Sequence, residues 1–245
     1  ETSGISETIA NNMIDKKVRN NVDNALKYMK QNNINVISVF DDDYPQMLKE
    51  IYAPPICLYI KGNLQLLKMQ NISLIGCRKC SQYGKKTAYY FSYNLSKAGF
   101  NIVSGLARGI DSYSHIGCLA AKGKTIAVMG SGLDNIYPKE NEQLVNEIIK
   151  QNGAIITQYP LGTKPEKNNF PARNRIISGL SKAVLVIEAR AKSGTLITVD
   201  FALEQGKDVF AVPGNINSAN SVGTNELIKQ GAIPVCNYKD ILDNI

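Results

Sequence analysis

The chain has 245 residues, 44% of them hydrophobic, and a formal net charge of +7. That is ample for one α/β core with a small appendage, and the basic excess favours an anionic partner without naming it. No apolar run approaches about 18 residues and no signal-peptide pattern opens the chain, which argues against a helical membrane span and predicts a cytoplasmic protein with no membrane partner.

A single histidine, His115, leaves little material for zinc hydrolysis or a Ser-His-Asp triad. The five cysteines are odd in number and lack a disulfide framework, which predicts a reducing compartment. Cys77-Arg78-Lys79-Cys80 is a lone CxxC without a second pair or nearby histidines. It reads as two small residues beside a strand end rather than a metal or redox site. Glu1 in place of a methionine is expected to mark a trimmed parent chain.

In chain order, residues 5–31 are polar with a weak apolar stripe and predict a helix. Residues 36–40 predict a short strand, Asp43-Tyr44-Pro45 a turn into a helix ending near Ile51, and residues 58–60 a further strand. From Ile72 the pattern becomes regular. Apolar runs at 72–75, 101–104, 125–129, 154–157, 183–188, 208–212 and 232–235 alternate with helical stretches near 84–98, 110–121, 139–151, 171–180, 195–205 and 224–229. Runs without hydrophobic/polar alternation suit strands buried on both faces. The fold class predicted is therefore α/β: a doubly wound, Rossmann-like, mostly parallel sheet with helices on both faces and a small N-terminal helical extension. The division expected is a helical segment over 1–33 and the sheet domain over 34–245.

In such sheets ligands sit outside the carboxyl ends of the strands. Here those ends carry Gly76-Cys77-Arg78, Ser104-Gly105 with Gly109-Ile110-Asp111, Gly130-Ser131-Gly132, Glu188-Ala189-Arg190 with Ser193-Gly194-Thr195, and Pro213-Gly214. Several glycine-rich turns on one edge suit backbone N–H groups brought close to an anion. Gly130-Ser131-Gly132 lacks the third glycine of a dinucleotide fingerprint, and no GxxxxGK[ST] is present, so neither a nicotinamide cofactor nor P-loop chemistry is expected. The stretch Lys167 to Gly179 adds Lys167, Arg173 and Arg175 to what reads as a helix N-terminus with Pro171 at its first position. Phe170 beside them suits a buried staple or a ring for stacking a base. Cations, a helix N-terminus and an aromatic together suggest phosphate plus base. Arg173 and Lys167 are expected to be functional charges, and Ile176 and Ile177 packing residues.

These motifs, in this order, resemble the DNA-processing protein A (DprA/Smf) family. The resemblance runs from Asp43-Tyr44-Pro45 to Ala232 through Ser104-Gly105, Gly109-Ile110-Asp111, Tyr137-Pro138, Phe170-Pro171, Arg173 to Ser181, Ser193-Gly194-Thr195, Val212-Pro213-Gly214 and Gly223-Thr224-Asn225. It implies a protein without cofactor or catalysis that binds and protects incoming single-stranded DNA in natural transformation and recombination. It also implies RecA recombinase as a partner and a homodimer. The family's DNA pocket maps onto Arg78, Lys167, Phe170, Arg173 and Asn174, with Gly76, Ser104 and Gly105 at the adjoining strand ends. Cys77 departs from the small hydroxyl residue usual in the family. Members often carry a sterile-alpha-motif-like domain, of which residues 1–33 look like a remnant, and a winged-helix-like C-terminal domain. The dimer contact is expected near the last helix and strand, where Val222, Leu227, Ile228, Ile233 and Val235 are apolar, through the edge that includes Leu227 or Ile228; filling the domain's own core is the alternative for these residues and the expected place of Val235.

The alternative is a nucleotide-binding sensor or a nucleotide hydrolase of the lysine-decarboxylase-like superfamily. The hydrolases need a glutamate where this chain has Thr198, which removes the general acid/base. Glu188 and Glu204 are the nearest substitutes, and Glu188 at a strand end also suits a hold on Arg78 or Arg190.

Overall fold

Unbroken apolar runs become central strands. The computed structural model describes residues 16–245, with side chains from Asn21 onward; the part of the N-terminal helix expected before Lys16, with Met13 of its stripe, lies outside the described residues. The elements are α1 (Lys16–Gln31), β1 (Ile34–Ser38), α2 (Gln46–Lys49), β2 (Cys57–Gly62), β3 (Asn71–Ile75), α3 (Gln82–Lys97), β4 (Asn101–Ser104), α4 (Ile110–Ala120), β5 (Thr125–Val128), α5 (Glu142–Lys150), β6 (Ala154–Thr157), α6 (Asn169–Gly179), β7 (Ala183–Val186), α7 (Gly194–Glu204), β8 (Asp208–Ala211), α8 (Val222–Lys229), β9 (Ile233–Pro234) and α9 (Lys239–Leu242). The chain divides into two units, residues 1–35 and 36–245.

The strands form one sheet in the order β1-β2-β6-β5-β4-β3-β7-β8-β9. From β6 to β9 every pairing is parallel, and β2 runs antiparallel to β6. Within the parallel part the chain enters at β3, steps outward through β4, β5 and β6, then returns to place β7 on the other side of β3. Register pins this reversal, with Ile72 opposite Ile102 on one side and Ala183 on the other. The switch in strand order thus falls at β3, and the crevice it opens lies at the carboxyl ends of β3, β4 and β7.

Strands β3 to β7 are buried at every residue, as a sheet covered on both faces requires. Ile72 and Leu74 point into one core layer, with Phe91 and Leu95 of α3 and Ile110 and Cys118 of α4. Ile75, Val184 and Val186 point into the other, with Ile176 and Ile177 of α6, Val199 of α7 and Leu227 of α8. Buried polar side chains then lock α6 to the sheet. Ser73 donates to the Ile177 carbonyl at 2.8 Å and shares a 2.7 Å bond with Ser181. Asn71 donates to the carbonyls of Leu66 and Leu180, each at 3.1 Å. The C-terminal end of α6 is therefore fixed on β3, and its N-terminal end projects over the crevice. His115 is buried, bonded to Thr125 at 2.7 Å, and burial pushes its pKa down to about 3, so it stays neutral in the core. No helix of the described residues is long and apolar enough to cross a membrane.

Candidate nucleic-acid interface

The crevice at the strand switch is a cleft of about 690 Å³. Residues from the first turns of α4, α6 and α7 line it, Asp111, Phe170 and Pro171, and Gly194 and Thr195. Three helix N-termini therefore bring their partial positive charge to one place. Arg78, Lys79, Lys167, Arg173, Arg190 and Lys192 also line it, against a single carboxylate among the described residues, Asp111. A cleft so unbalanced in charge attracts anions.

Helix α6 begins at Asn169, two residues before Pro171. The proline is thus third in the helix rather than first, still within the turn whose N–H groups have no intrahelical acceptor. Phe170 is half-buried. Its ring lies 5.6 Å from that of Tyr137, tilted by 49°, and the Arg78 guanidinium stands 5.3 Å from its centroid. Beneath it is Gly130, where a Cβ would come within 2.9 Å of the ring. Phe170 is thus a braced wedge in the cleft, capped by a cation.

Arg173 differs from its expected role. It is 3% exposed and donates through Nη1 to the carbonyls of Gly105, at 2.7 Å, and of Val128. It ties α6 to the ends of β4 and β5. Burial pulls its pKa down to about 10, opposed by Asp111, whose own pKa burial pushes up to about 6. Gly105 lies between them: a Cβ there would stand 2.7 Å from Asp111 Oδ2 and 2.8 Å from Arg173 Nη2. Only glycine lets these two charged groups close over the β4 end. Arg173 lines the cleft, but its guanidinium is engaged in the fold.

The other predicted residues divide. Gly76, Arg78, Lys167, Phe170 and Asn174 line the cleft with Arg173, whereas Ser104 and Gly105 do not. Ser104 is fully buried and donates to the Leu74 carbonyl at 2.6 Å, so its hydroxyl serves the sheet. Asn174 donates to the Gly194 carbonyl at 3.4 Å and accepts from Arg173 Nε at 3.3 Å, bracing α6 against the start of α7. Arg175 turns away, donating to Gln158 at 2.7 Å, and Arg108 is taken up by Glu140. Arg78, Lys79, Lys167, Arg190 and Lys192 enter no ion pair among the described residues. Lys79 and Lys192 join the expected cations in the cleft, and Lys79 carries the same sequence signal as Arg78, a cation just past the end of β3.

Glu188 holds neither Arg78 nor Arg190. It is 1% exposed and accepts from the Ser81 N–H at 2.9 Å and from the Ser81 hydroxyl, at the start of α3. Thr198, which stands in the sequence where the hydrolase reading expected a glutamate, lines the cleft. Cys77 and Cys80 flank Arg78 and Lys79, and burial raises both thiols, keeping them protonated.

The model of the DNA recombination-mediator protein A family matches residues 35–245. Protein Smf of Escherichia coli (strain K12) is 41% identical over 227 residues, covering 93% of this chain and 61% of that protein. The chain thus spans about three fifths of that relative's length. The X-ray structure of DNA processing protein A from Streptococcus pneumoniae superposes with a TM-score of 0.84 at 42% identity, over 94% of this chain and 80% of that one. DNA processing protein A from Helicobacter pylori, whose structure concerns its single-stranded DNA binding mode, superposes with a TM-score of 0.77 at 31% identity, over 86% and 94%. These matches bear out the expected fold and resemblance: the chain belongs to the DNA recombination-mediator protein A family.

Proposed function

We propose that the cleft holds single-stranded DNA, phosphates on Arg78, Lys79, Lys167, Arg190 and Lys192, and a base against the Phe170 wedge. The observation that carries this reading is the convergence of those cations and three helix N-termini on a cleft floored by an aromatic. Stacking on a ring needs an unpaired base, and phosphate contacts carry no sequence information. The protein is then a non-enzymatic binder that protects incoming strands and helps load the RecA recombinase in transformation and recombination. The single-stranded DNA bound by the Helicobacter pylori relative supports the same ligand here.

Gel shifts comparing single strands, duplexes and mononucleotides test this. Single strands should bind tightest, with little sequence preference, and log affinity should fall linearly with log salt, at a slope of about −0.7 per phosphate contacted. Equal affinity for duplex, or a flat salt response, would overturn it. Tightest binding of the mononucleotide would favour the sensor instead.

The same reading includes a homodimer at the β9 end of the sheet. Leu227 and Val235 are buried in the domain's own core, so of the expected pair Leu227 or Ile228 the half-buried Ile228 is the one left for a contact, and Val222, 43% exposed, is a further apolar group on α8. Light scattering at micromolar concentration should find a dimer, and Val222→Asp should shift it towards monomer. A wild-type monomer would contradict this.

A further inference from the structure

We infer that the bound strand does not end in the cleft but continues onto the outer face of α3, where Tyr83, Lys86 and Tyr90 form a second stacking surface. The inference rests on the cleft reading above. Two shallow depressions, of about 430 and 360 Å³, open at the carboxyl end of β8. Tyr83 and Pro213 line both, so they form one groove, with Glu188 and Asn215 at one end and Lys86 and Tyr90 at the other. Asn220 joins this groove to the cleft. It accepts from Arg190 Nε at 2.9 Å and donates to the Lys79 carbonyl at 3.1 Å and to Glu188 at 3.4 Å. Arg190 and Lys79 line the cleft and Glu188 lines the groove, so a strand held on those cations meets the groove next.

The groove is built for a polyanion with flat apolar faces. Tyr83, Lys86 and Tyr90 recur at i, i+3 and i+7, which puts them on one face of α3. Tyr83 is 52% and Tyr90 40% exposed, so both offer aromatic surface to solvent on that face. Neither is loose. Tyr83 donates to the Pro213 carbonyl at 3.4 Å, and Tyr90 sits edge-on to Tyr238 with centroids 6.4 Å apart. Seven helical residues separate them by about 10 Å, room for more than one nucleotide between the two rings. Glu188 is the one carboxylate lining the groove among the described residues, and its oxygens are taken by Ser81 and Asn220, which leaves Lys86 to meet a phosphate. Continuity with the cleft and this charge balance select the occupant, the same single strand.

The test is affinity against oligothymidylate length, from about 4 to about 20 nucleotides, for the wild type and for Tyr83→Ala/Tyr90→Ala and Lys86→Ala. Wild-type affinity should rise with length beyond what fills the cleft. In the tyrosine variant the shortest oligonucleotides should bind as before, while the affinity gained by longer ones falls roughly tenfold or more. Tyr83→Phe, which keeps the ring, should retain the gain, and the unchanged binding of the shortest oligonucleotides shows the double variant to be folded even where loss of the Tyr90–Tyr238 contact lowers its melting temperature. An undiminished length gain in the double variant overturns the inference, as does a change in self-association with the length gain intact, which would make this face a protein contact. Failure of the cleft reading looks different: the shortest oligonucleotides would bind wild type and Arg78→Ala alike.

Discussion

Arg173→Ala should destabilise the fold by about 3–5 kcal/mol, the cost of breaking a buried charge arrangement from one side. The carbonyls of Gly105 and Val128 lose a buried donor, and Asp111 loses the cation that opposes its burial. For a chain of this size that is a fall in melting temperature on the order of 10 °C. Arg173→Lys keeps the charge but not the planar fork, and should recover only part of the loss. Reduced DNA binding in either variant would then follow from a displaced α6. An Arg173→Ala protein that melts like wild type but no longer binds DNA would show instead that the guanidinium serves the ligand alone.

Phe170→Ala and Arg78→Ala should do the opposite, leaving melting nearly unchanged while weakening single-strand affinity by about 1–3 kcal/mol each. Arg78 is exposed, and Phe170 is only half-buried over Gly130. The two groups touch, with the guanidinium 5.3 Å from the ring centroid, so the double variant should lose less than the sum of the singles. Calorimetric melting and equilibrium binding on the same samples check this. Strict additivity would mean that ring and cation act on separate parts of the strand.

The contrast between Arg173 and Arg78 marks how far the sequence is legible. Strands β3 to β7 were readable because burial on both faces leaves unbroken runs such as Ala-Val-Leu-Val at Ala183–Val186. Their glycine-rich ends located the crevice because a parallel sheet puts all those ends on one edge. Which cations face solvent was not readable. Arg173 and Lys167 lie in one stretch with the same local chemistry, yet Arg173 is spent on carbonyls 68 and 45 residues earlier in the chain. Ser104 and Glu188 went the same way, each at a strand end and each consumed by a neighbouring element, the Leu74 carbonyl and the start of α3. Leu227 has helical spacing that suits core or contact equally, and tertiary packing put it in the core.

Photocross-linking tests the central claim most directly, using an oligothymidylate in which single thymines are replaced in turn by 5-iodouracil. The reactive base should attach to Phe170 or Tyr137, whose rings lie 5.6 Å apart in the cleft. The adduct yield should fall in Arg78→Ala at oligonucleotide concentrations near the wild-type Kd, in step with its weaker affinity. Adducts confined to surfaces away from the cleft, on a protein that binds single strands normally, would contradict the account.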